Sequence, residues 1–419
     1  MNKMIKRVIM TGVSVCFACG LLLIVGDATI QNSLGDQDTV SMGEVVSINE
    51  IVLPSKFSLV DEGYATAIKS QESGTCWAVA ASISMESNYK YVKGADIEID
   101  PNAIVETVFV DDATEGMMLE VYNDKYDFGG DNLEVVEYLS NGFGDYYLED
   151  AVFLTDYDRD TIKRQIMTLG GMYVAYNDAW NSRYGVFEGY KTLNNPVADP
   201  DHAATILGWD DDFPKEYFKL PPKENGAWIV QNTRGDKWGT GGFFWISYET
   251  PLFEETIFQM SDDYTEVQYY DIGHYNTLET DETITLANVF HCPGTLKRVG
   301  TYTEEPNQKL VIEIYDAELS NVVYKEEVTF EFPGYHTIAL AEPQEVSDYA
   351  IAITYYGNAA VEGLTWIDDE WGISYIAESH AGESFALLDG EWIDMTDEIV
   401  QEKFGIDYAP NNCCIKAIY

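Results

Sequence analysis

Between residues 30 and 270 the chain has one cysteine, Cys76, and one histidine, His202. That scarcity excludes an internal disulfide framework for this stretch and leaves Cys76 free for chemistry. Basic residues are also few, 24 Lys and Arg against 72 Asp and Glu, for a formal charge of −48. Such a balance excludes nucleic-acid binding, which needs a basic footprint, and disfavours anionic membrane surfaces. It suits solubility, and beyond that an acidic surface that collects divalent cations or attracts basic substrates. Only one long apolar run exists, over residues 8–25, so no membrane span follows it. There is no internal repeat of fixed period and no low-complexity tract.

What is present supports folded cores. The 419 residues suffice for two or three domains, and 46% are apolar and 13% aromatic. Twenty-nine tyrosines point to many β-strands, with an exposed aromatic surface as the alternative. Lys3, Lys6 and Arg7 precede the apolar run, and Gly26-Asp27-Ala28 ends on a small residue. Residues 1–28 thus read as a secretory signal, cleaved on export, with a retained anchor as the alternative. The expected location is secreted or cell surface. Residues 29–52 are polar and acidic, a short prosegment or linker. Once Cys16 and Cys19 leave with the signal, any bridge must pair Cys292 with Cys413 or Cys414. On a strand, those two adjacent cysteines point to opposite faces.

Periodicity predicts a helix from Cys76 to about Lys93, with Trp77, Ala80, Ala81, Ser84 and Met85 at helical spacing after a Gly74-Thr75 turn. Asp131-Asn132 would cap a second helix bearing Leu133, Val136 and Leu139. Strands are expected at 203–208, 227–230 and 242–248. Helices first and strands later make an α+β domain over residues 53–262. From about residue 268 short strand-like runs follow one another, broken by Pro293-Gly294, Pro333-Gly334 and similar clusters. They predict an all-β sandwich or jelly roll over residues 263–419.

A thiol, an imidazole and a side-chain amide can serve as nucleophile, base and orienting group for acyl transfer. Cys76 gains from its place at a predicted helix N-terminus, where N–H groups and the macrodipole favour a thiolate; a nearby imidazolium would complete a thiolate–imidazolium pair. Gln71, then Gly74-Thr75-Cys76-Trp77-Ala78, resembles the active-site signature of papain-like cysteine peptidases. Asp201-His202-Ala203 with Leu207-Gly208-Trp209 is similar to that family's histidine strand, and Asn232 with Gly235, Trp238 and Gly239 to its asparagine segment. Gly129-Gly130 matches the glycine pair that offers backbone groups to a bound peptide. The resemblance covers residues 53–262 and has all five motifs in the family order. It implies Cys76 as nucleophile, His202 as base and acid, and Asn232 as the group orienting the imidazole. Gln71 would be an oxyanion donor beside the Cys76 N–H.

Four departures stand out. The Gln71–Cys76 interval is one residue short, and the usual cysteine just upstream of the nucleophile is missing. Arg234 replaces the tryptophan that commonly shields the His–Asn bond, and Ser58 stands where aspartate is common. The stretch from Thr29 to Val52 is too short for the long helical prodomain of many relatives. The C-terminal region resembles the lectin-like domain of some secreted bacterial relatives, through Ala287-Asn288-Val289-Phe290, the 296–302 run, Gly334-Tyr335-His336-Thr337 and Cys414-Ile415-Lys416-Ala417. That resemblance brings structural calcium as an expectation; no other cofactor is required. Trp366, Trp371 and Trp392 would form either a sugar platform or part of the core.

The reading is an exported cysteine endopeptidase acting on protein and peptide substrates. Cell-surface components or glycans are further candidate partners. Two rivals stay open: an adhesion or carbohydrate-binding protein with an inactive peptidase domain, and a transpeptidase using the same nucleophile.

Overall fold

The computed structural model describes residues 14–17, 22–25, 51–111, 115–120, 123–178, 182–280, 282–404 and 412–419. The expected signal and prosegment therefore lie almost wholly outside the described residues, apart from a short antiparallel pair, Ser14–Phe17 with Leu22–Val25.

Helix α1, Cys76–Lys93, begins and ends as the periodicity predicts, closing on a left-handed Gly94. It is buried from Trp77 to Tyr89 on every face. A helix apolar or small all round belongs in the middle of a domain. Its neighbours are α2 (Pro101–Val108) and α3 (Asn132–Leu139) on one side and a sheet on the other. Its few polar side chains pin it: Asn88 Nδ2 donates to the carbonyls of Gly171 and Phe258, both at 2.9 Å, and Glu86 accepts from Lys69 Nζ and the Ile99 N–H, both at 2.7 Å. Asp131 caps α3 as expected, in a full capping box with Glu134.

The sheet of this half contains β1 (Tyr147–Phe153), β2 (Met172–Tyr176), β3 (His202–Asp210), β4 (Ala227–Gln231), β5 (Phe243–Ser247) and β6 (Phe253–Ser261). Pairing runs β5–β4–β3–β2–β6–β1, antiparallel throughout. Three of these strands were expected. Strands β1, β2 and β6, and the helix Arg159–Leu169, were not.

The C-terminal half is mostly β, as expected, with one short helix, Glu398–Phe404, and its strands are longer than expected. The predicted runs at 285–290 and 296–303 are one strand, β7 (Thr283–Thr303). It is followed by β8 (Gln308–Asp316), β9 (Val322–Phe330) and β10 (Gly334–Tyr356). Pro293-Gly294 is therefore not a turn between strands. The β7–β10 pairing slips register between His291 and Gly294 and resumes, so the Pro-Gly step is a bulge that bends a continuous ribbon. β10 likewise absorbs two predicted strands. The closing strand β11, Ile415–Ile418, pairs with β7.

The two halves share one sheet. Gly334, Tyr335 and His336 of β10 pair with Val152, Ala151 and Asp150 of β1. Behind this seam one core combines Trp77, Val136 and Leu148 with Tyr302, Tyr335, Tyr375 and Cys414. Cys413 faces the other way, into the sandwich core, so the adjacent cysteines do point to opposite faces. Among the described residues Cys76, Cys292, Cys413 and Cys414 are free, and no bridge joins Cys292 to Cys413 or Cys414. The three tryptophans do not form one platform. Trp366 packs against the shared core, Trp392 lies edge-on to Tyr315, and Trp371 is 67% exposed.

Candidate active site

Cys76 is the first residue of α1. Thr75, the residue before it, makes no side-chain cap; its hydroxyl donates to the Glu72 carbonyl at 3.0 Å. The N–H groups of the first turn are thus left for a ligand or a thiolate. Gly74 must be glycine, because a Cβ there would stand 2.8 Å from the Asp127 backbone. Gly130 is pressed to the other side of the helix start, where a Cβ would come within 2.6 Å of the Trp77 ring. Gly129 has open space but a φ of +99°.

His202 opens β3 beside Tyr176, whose ring meets the imidazole edge-on at 5.6 Å. Asn232 follows β4, and its N–H is held by the Gly242 carbonyl at 2.9 Å. Antiparallel pairing of β3 with β4 brings the two residues together. Asn232 Oδ1 accepts from the Thr233 N–H at 2.7 Å and from His202 Nε2 at 2.9 Å. An amide oxygen is acceptor only, so Nε2 carries the proton and Nδ1 is left as the basic nitrogen. Asn232 is fully buried and His202 is 6% exposed. The substitution of Arg234 for an aromatic shield has not wetted the pair. Arg234 instead turns to Asp178, at 2.7 Å.

Cys76, His202, Gln71, Gly129 and Gly130 line one cleft of about 530 Å³, together with Ser73, Asp127, Tyr173, Asp178, Asp201, Arg234 and Glu254. Asn232 lies behind the histidine, outside that lining. Gln71 is fixed by a residue the sequence reading passed over. Thr233 Oγ1 donates to Gln71 Oε1 at 2.6 Å, and its carbonyl accepts the Gln71 N–H at 2.6 Å. Gln71 Nε2 donates to the Ser73 carbonyl at 2.6 Å, and Ser73 has a φ of +55°. That tight turn lies within the Gln71–Cys76 interval, one residue short of the family pattern. Tyr173 and Glu254, 81 residues apart, also face the cleft and had no local signal.

Burial pushes the Cys76 thiol up, opposed by backbone N–H groups of Ala203 and Trp77 and by the Arg234 charge. Burial pushes His202 down to about 4, against the bond to Asn232. Burial thus works against the ion pair expected from the helix terminus, while the backbone N–H groups and Arg234 favour the thiolate. Desolvation outweighs the N–H groups at this depth. Among the described residues no group of three or more His, Cys, Asp or Glu side chains is placed to hold a metal ion.

This fold and cleft define a class. Residues 53–261 match the papain family of cysteine proteases and residues 267–419 a lectin-like domain. The chain belongs to the papain family of cysteine peptidases and carries a lectin-like domain behind the peptidase domain. Among curated relatives, it is 24% identical over 225 residues to cysteine proteinase 15A of Pisum sativum, covering 46% of this chain and 58% of that one. It is 24% identical over 207 residues to cathepsin F of Drosophila melanogaster, covering 46% and 33%. The chain thus spans about half or less of these relatives. Among solved structures, the cysteine protease and lectin-like domains of Cwp84, a surface layer associated protein of Clostridium difficile, superpose with a TM-score of 0.70 at 20% identity, covering 87% of this chain and 88% of that one.

Proposed function

We propose that this protein is an exported endopeptidase that cleaves peptide bonds through Cys76, His202 and Asn232. The observation that carries the reading is the dry His202–Asn232 hydrogen bond, 2.9 Å long, behind a cleft that has Cys76 on its wall. Cys76 Sγ attacks the scissile carbonyl carbon while His202 Nδ1 takes its proton. The C=O π electrons move to oxygen, giving a tetrahedral oxyanion. The Cys76 N–H and the Gln71 side-chain amide face that oxyanion, Gln71 Nε2 exchanging the Ser73 carbonyl for it. Collapse expels the amine, which takes the proton back from His202 and leaves a thioester on Cys76. Water, deprotonated by His202, then releases the acid and regenerates the thiol.

The test is labelling by a thiol-directed peptidyl epoxide, with Cys76→Ala as control. The wild type is expected to be labelled once and the variant not at all; equal labelling of both sinks the reading. Mass spectrometry of products formed with an added amine separates hydrolysis from transfer.

Export is supported by the basic start and apolar run of residues 3–25, and a surface location by the likeness to a surface layer associated protein. Fractionation of the native host, finding the mature chain outside the cell and beginning after residue 28, is the expected result.

A further inference from the structure

A second cleft, of about 510 Å³, opens at the far end of the peptidase sheet and shares no lining residue with the first. Asp210 on its wall closes the strand that His202 opens, so the two lie a whole nine-residue strand apart, roughly 26 Å. Two loops build the cleft. A hairpin joins Tyr184–Phe187 to Tyr190–Leu193 through Glu188 and Gly189, both left-handed, with φ of +49° and +90°, as a two-residue turn requires. Its second strand runs parallel to β5, with Thr192 opposite Trp245, and sets Tyr190 against the Trp245 ring. The loop after β3 brings in Phe213 and Tyr217. Trp245 and Phe213 stack within 6° of parallel. Tyr190 stands at 87° to one and 85° to the other, and Tyr217 at 82° to Phe213. The rings thus meet as walls at a corner, and Val186, Phe187 and Tyr190 on the hairpin are left exposed.

Four carboxylates, Asp61, Glu188, Asp210 and Asp212, line this corner against one lysine, Lys56, which leans to Asp61 at 3.6 Å. Among the described residues no ion pair includes Glu188, Asp210 or Asp212, although Lys163 takes the neighbouring Asp211. Neutral donors hold two of them. The Tyr217 hydroxyl donates to Glu188 Oε2 at 2.5 Å, and the Asp212 N–H to Asp210 Oδ1 at 3.0 Å. The cations nearby turn elsewhere: Lys215 and Lys219 donate to the Lys223 and Ser182 carbonyls, and Lys191 lies over Tyr184 and Trp238. Ring faces carry negative potential and attract a cation, most strongly where it has shed part of its water. Carboxylates without a counter-ion add to that pull. A neutral sugar would stack on the rings and leave those charges uncompensated.

We propose that this cleft is a second binding site, which takes the lysine or arginine side chains of an extended basic polypeptide. The apolar stem of such a side chain lies along the rings while its charged head meets Glu188, Asp210 and Asp212. The site stands apart from the peptidase reading and does not depend on it. Where that reading holds, a chain that spans roughly eight extended residues reaches both clefts, so that one holds the substrate while the other cuts it.

The experiment measures calorimetric binding of a repeating arginine–serine peptide, at about 0.15 M salt, to the full chain carrying Cys76→Ala, which cannot consume it. The same peptide with citrulline for arginine, which keeps the shape and loses the charge, is measured beside it, as is a neutral glucan oligosaccharide. The arginine peptide is expected to bind about tenfold tighter than the citrulline peptide. Glu188→Gln, Asp210→Asn and Asp212→Asn together keep the acceptors for Tyr217 and the Asp212 N–H, and should weaken binding about tenfold. Asp369→Asn, Glu370→Gln and Glu391→Gln together remove the same charge from exposed positions of the lectin-like domain, and should leave binding within about twofold. Tyr190→Ala, which leaves the charge alone, should weaken binding about fivefold. Equal losses in the two triple variants would make the attraction a property of the whole acidic surface and overturn the proposal. So would an unaffected Tyr190→Ala, equal binding of the two peptides, no binding of the arginine peptide, or binding of the oligosaccharide alone. Absence of epoxide labelling in the wild type overturns the peptidase reading only, because binding is read on a chain without the nucleophile.

Discussion

His336 in the lectin-like domain and Asp150 in the peptidase domain are hydrogen-bonded across the strand seam, Nδ1 to Oδ1 at 3.0 Å, and both are buried. The imidazole also stacks on Phe330 at 3.9 Å, and its other nitrogen faces Thr303 Oγ1 at 3.1 Å. The bond joins neighbouring strands of one sheet, β1 and β10. The peptidase half therefore does not end its own sheet; its edge is completed by the other domain.

Two consequences can be measured. Asp150→Ala leaves a buried imidazole nitrogen without its partner, and chemical denaturation is expected to show a loss of about 1–3 kcal/mol. A chain cut after residue 262 exposes the β1 edge and the apolar side chains behind it. It is expected to associate or precipitate where the full chain stays in solution, as light scattering would show. A monomeric, fully stable truncated domain would contradict the shared-sheet account.

Stability should fall as the solution is made alkaline. Burial raises Glu137 to about 8, and Glu254 and Glu362 to about 7. In the unfolded chain these carboxyls titrate near 4.3. Between those values the native state holds more protons than the unfolded state, so the stability they confer is lost as pH rises through 7 and 8. His202, lowered to about 4, acts oppositely, but only below about 6.5, so a scan from 6.5 to 8.5 leaves the histidine out. The expected loss over that range is on the order of 2 kcal/mol, read as a lower melting temperature. Glu137→Gln, which keeps an acceptor for the Tyr275 N–H, should flatten the slope. A melting temperature rising with pH would sink the argument.

The legible parts of this molecule were those encoded locally. Helix α1, its glycine turn and the Asp131 cap each occupy a few consecutive residues, and each stands where the pattern placed it. The long ribbon of β7 and β10 was misread because Pro-Gly and Gly serve bulges as readily as turns. Only pairing with a partner strand tells the two apart. Cys76 and His202 could be singled out because residues 30–270 hold no other thiol or imidazole, and Gln71 and Asn232 because they stand in motifs that resemble the papain-like family's. Thr233, Tyr173 and Glu254 could not, since hydroxyls, tyrosines and acids abound and only the register of β2 against β6 and the turn after β4 gives them a place.

The glycine pair in the cleft should divide under substitution. Gly130→Ala drives a methyl to 2.6 Å from the Trp77 ring and 2.5 Å from Glu134 Oε2, and Trp77 is fully buried at the start of α1. Either the ring or the helix start must move. Gly129→Ala meets nothing within 4 Å and pays only for its φ of +99°, about 1–2 kcal/mol. Gly130→Ala is therefore expected to lose more of both stability and epoxide labelling than Gly129→Ala. The reverse order would place the tight contact elsewhere.

Thr233→Val tests how Gln71 is held. Valine keeps the volume and the backbone bond to the Gln71 N–H, and removes only the hydroxyl that donates to Gln71 Oε1 at 2.6 Å. Gln71 is half-exposed, so its oxygen can bind water, and the cost in stability should be no more than about 1 kcal/mol. The cost in rate should be larger. A freed amide no longer points its nitrogen reliably at the developing oxyanion, and removing such a donor outright costs about 10²–10³ in kcat. A loss of roughly tenfold in kcat with little change in KM is expected for Thr233→Val, and a larger loss for Gln71→Ala. The double variant should be no slower than Gln71→Ala alone, because the threonine acts only through the glutamine. Additive losses would mean that Thr233 Oγ1, 3.5 Å from His202 Nε2, works on the histidine instead.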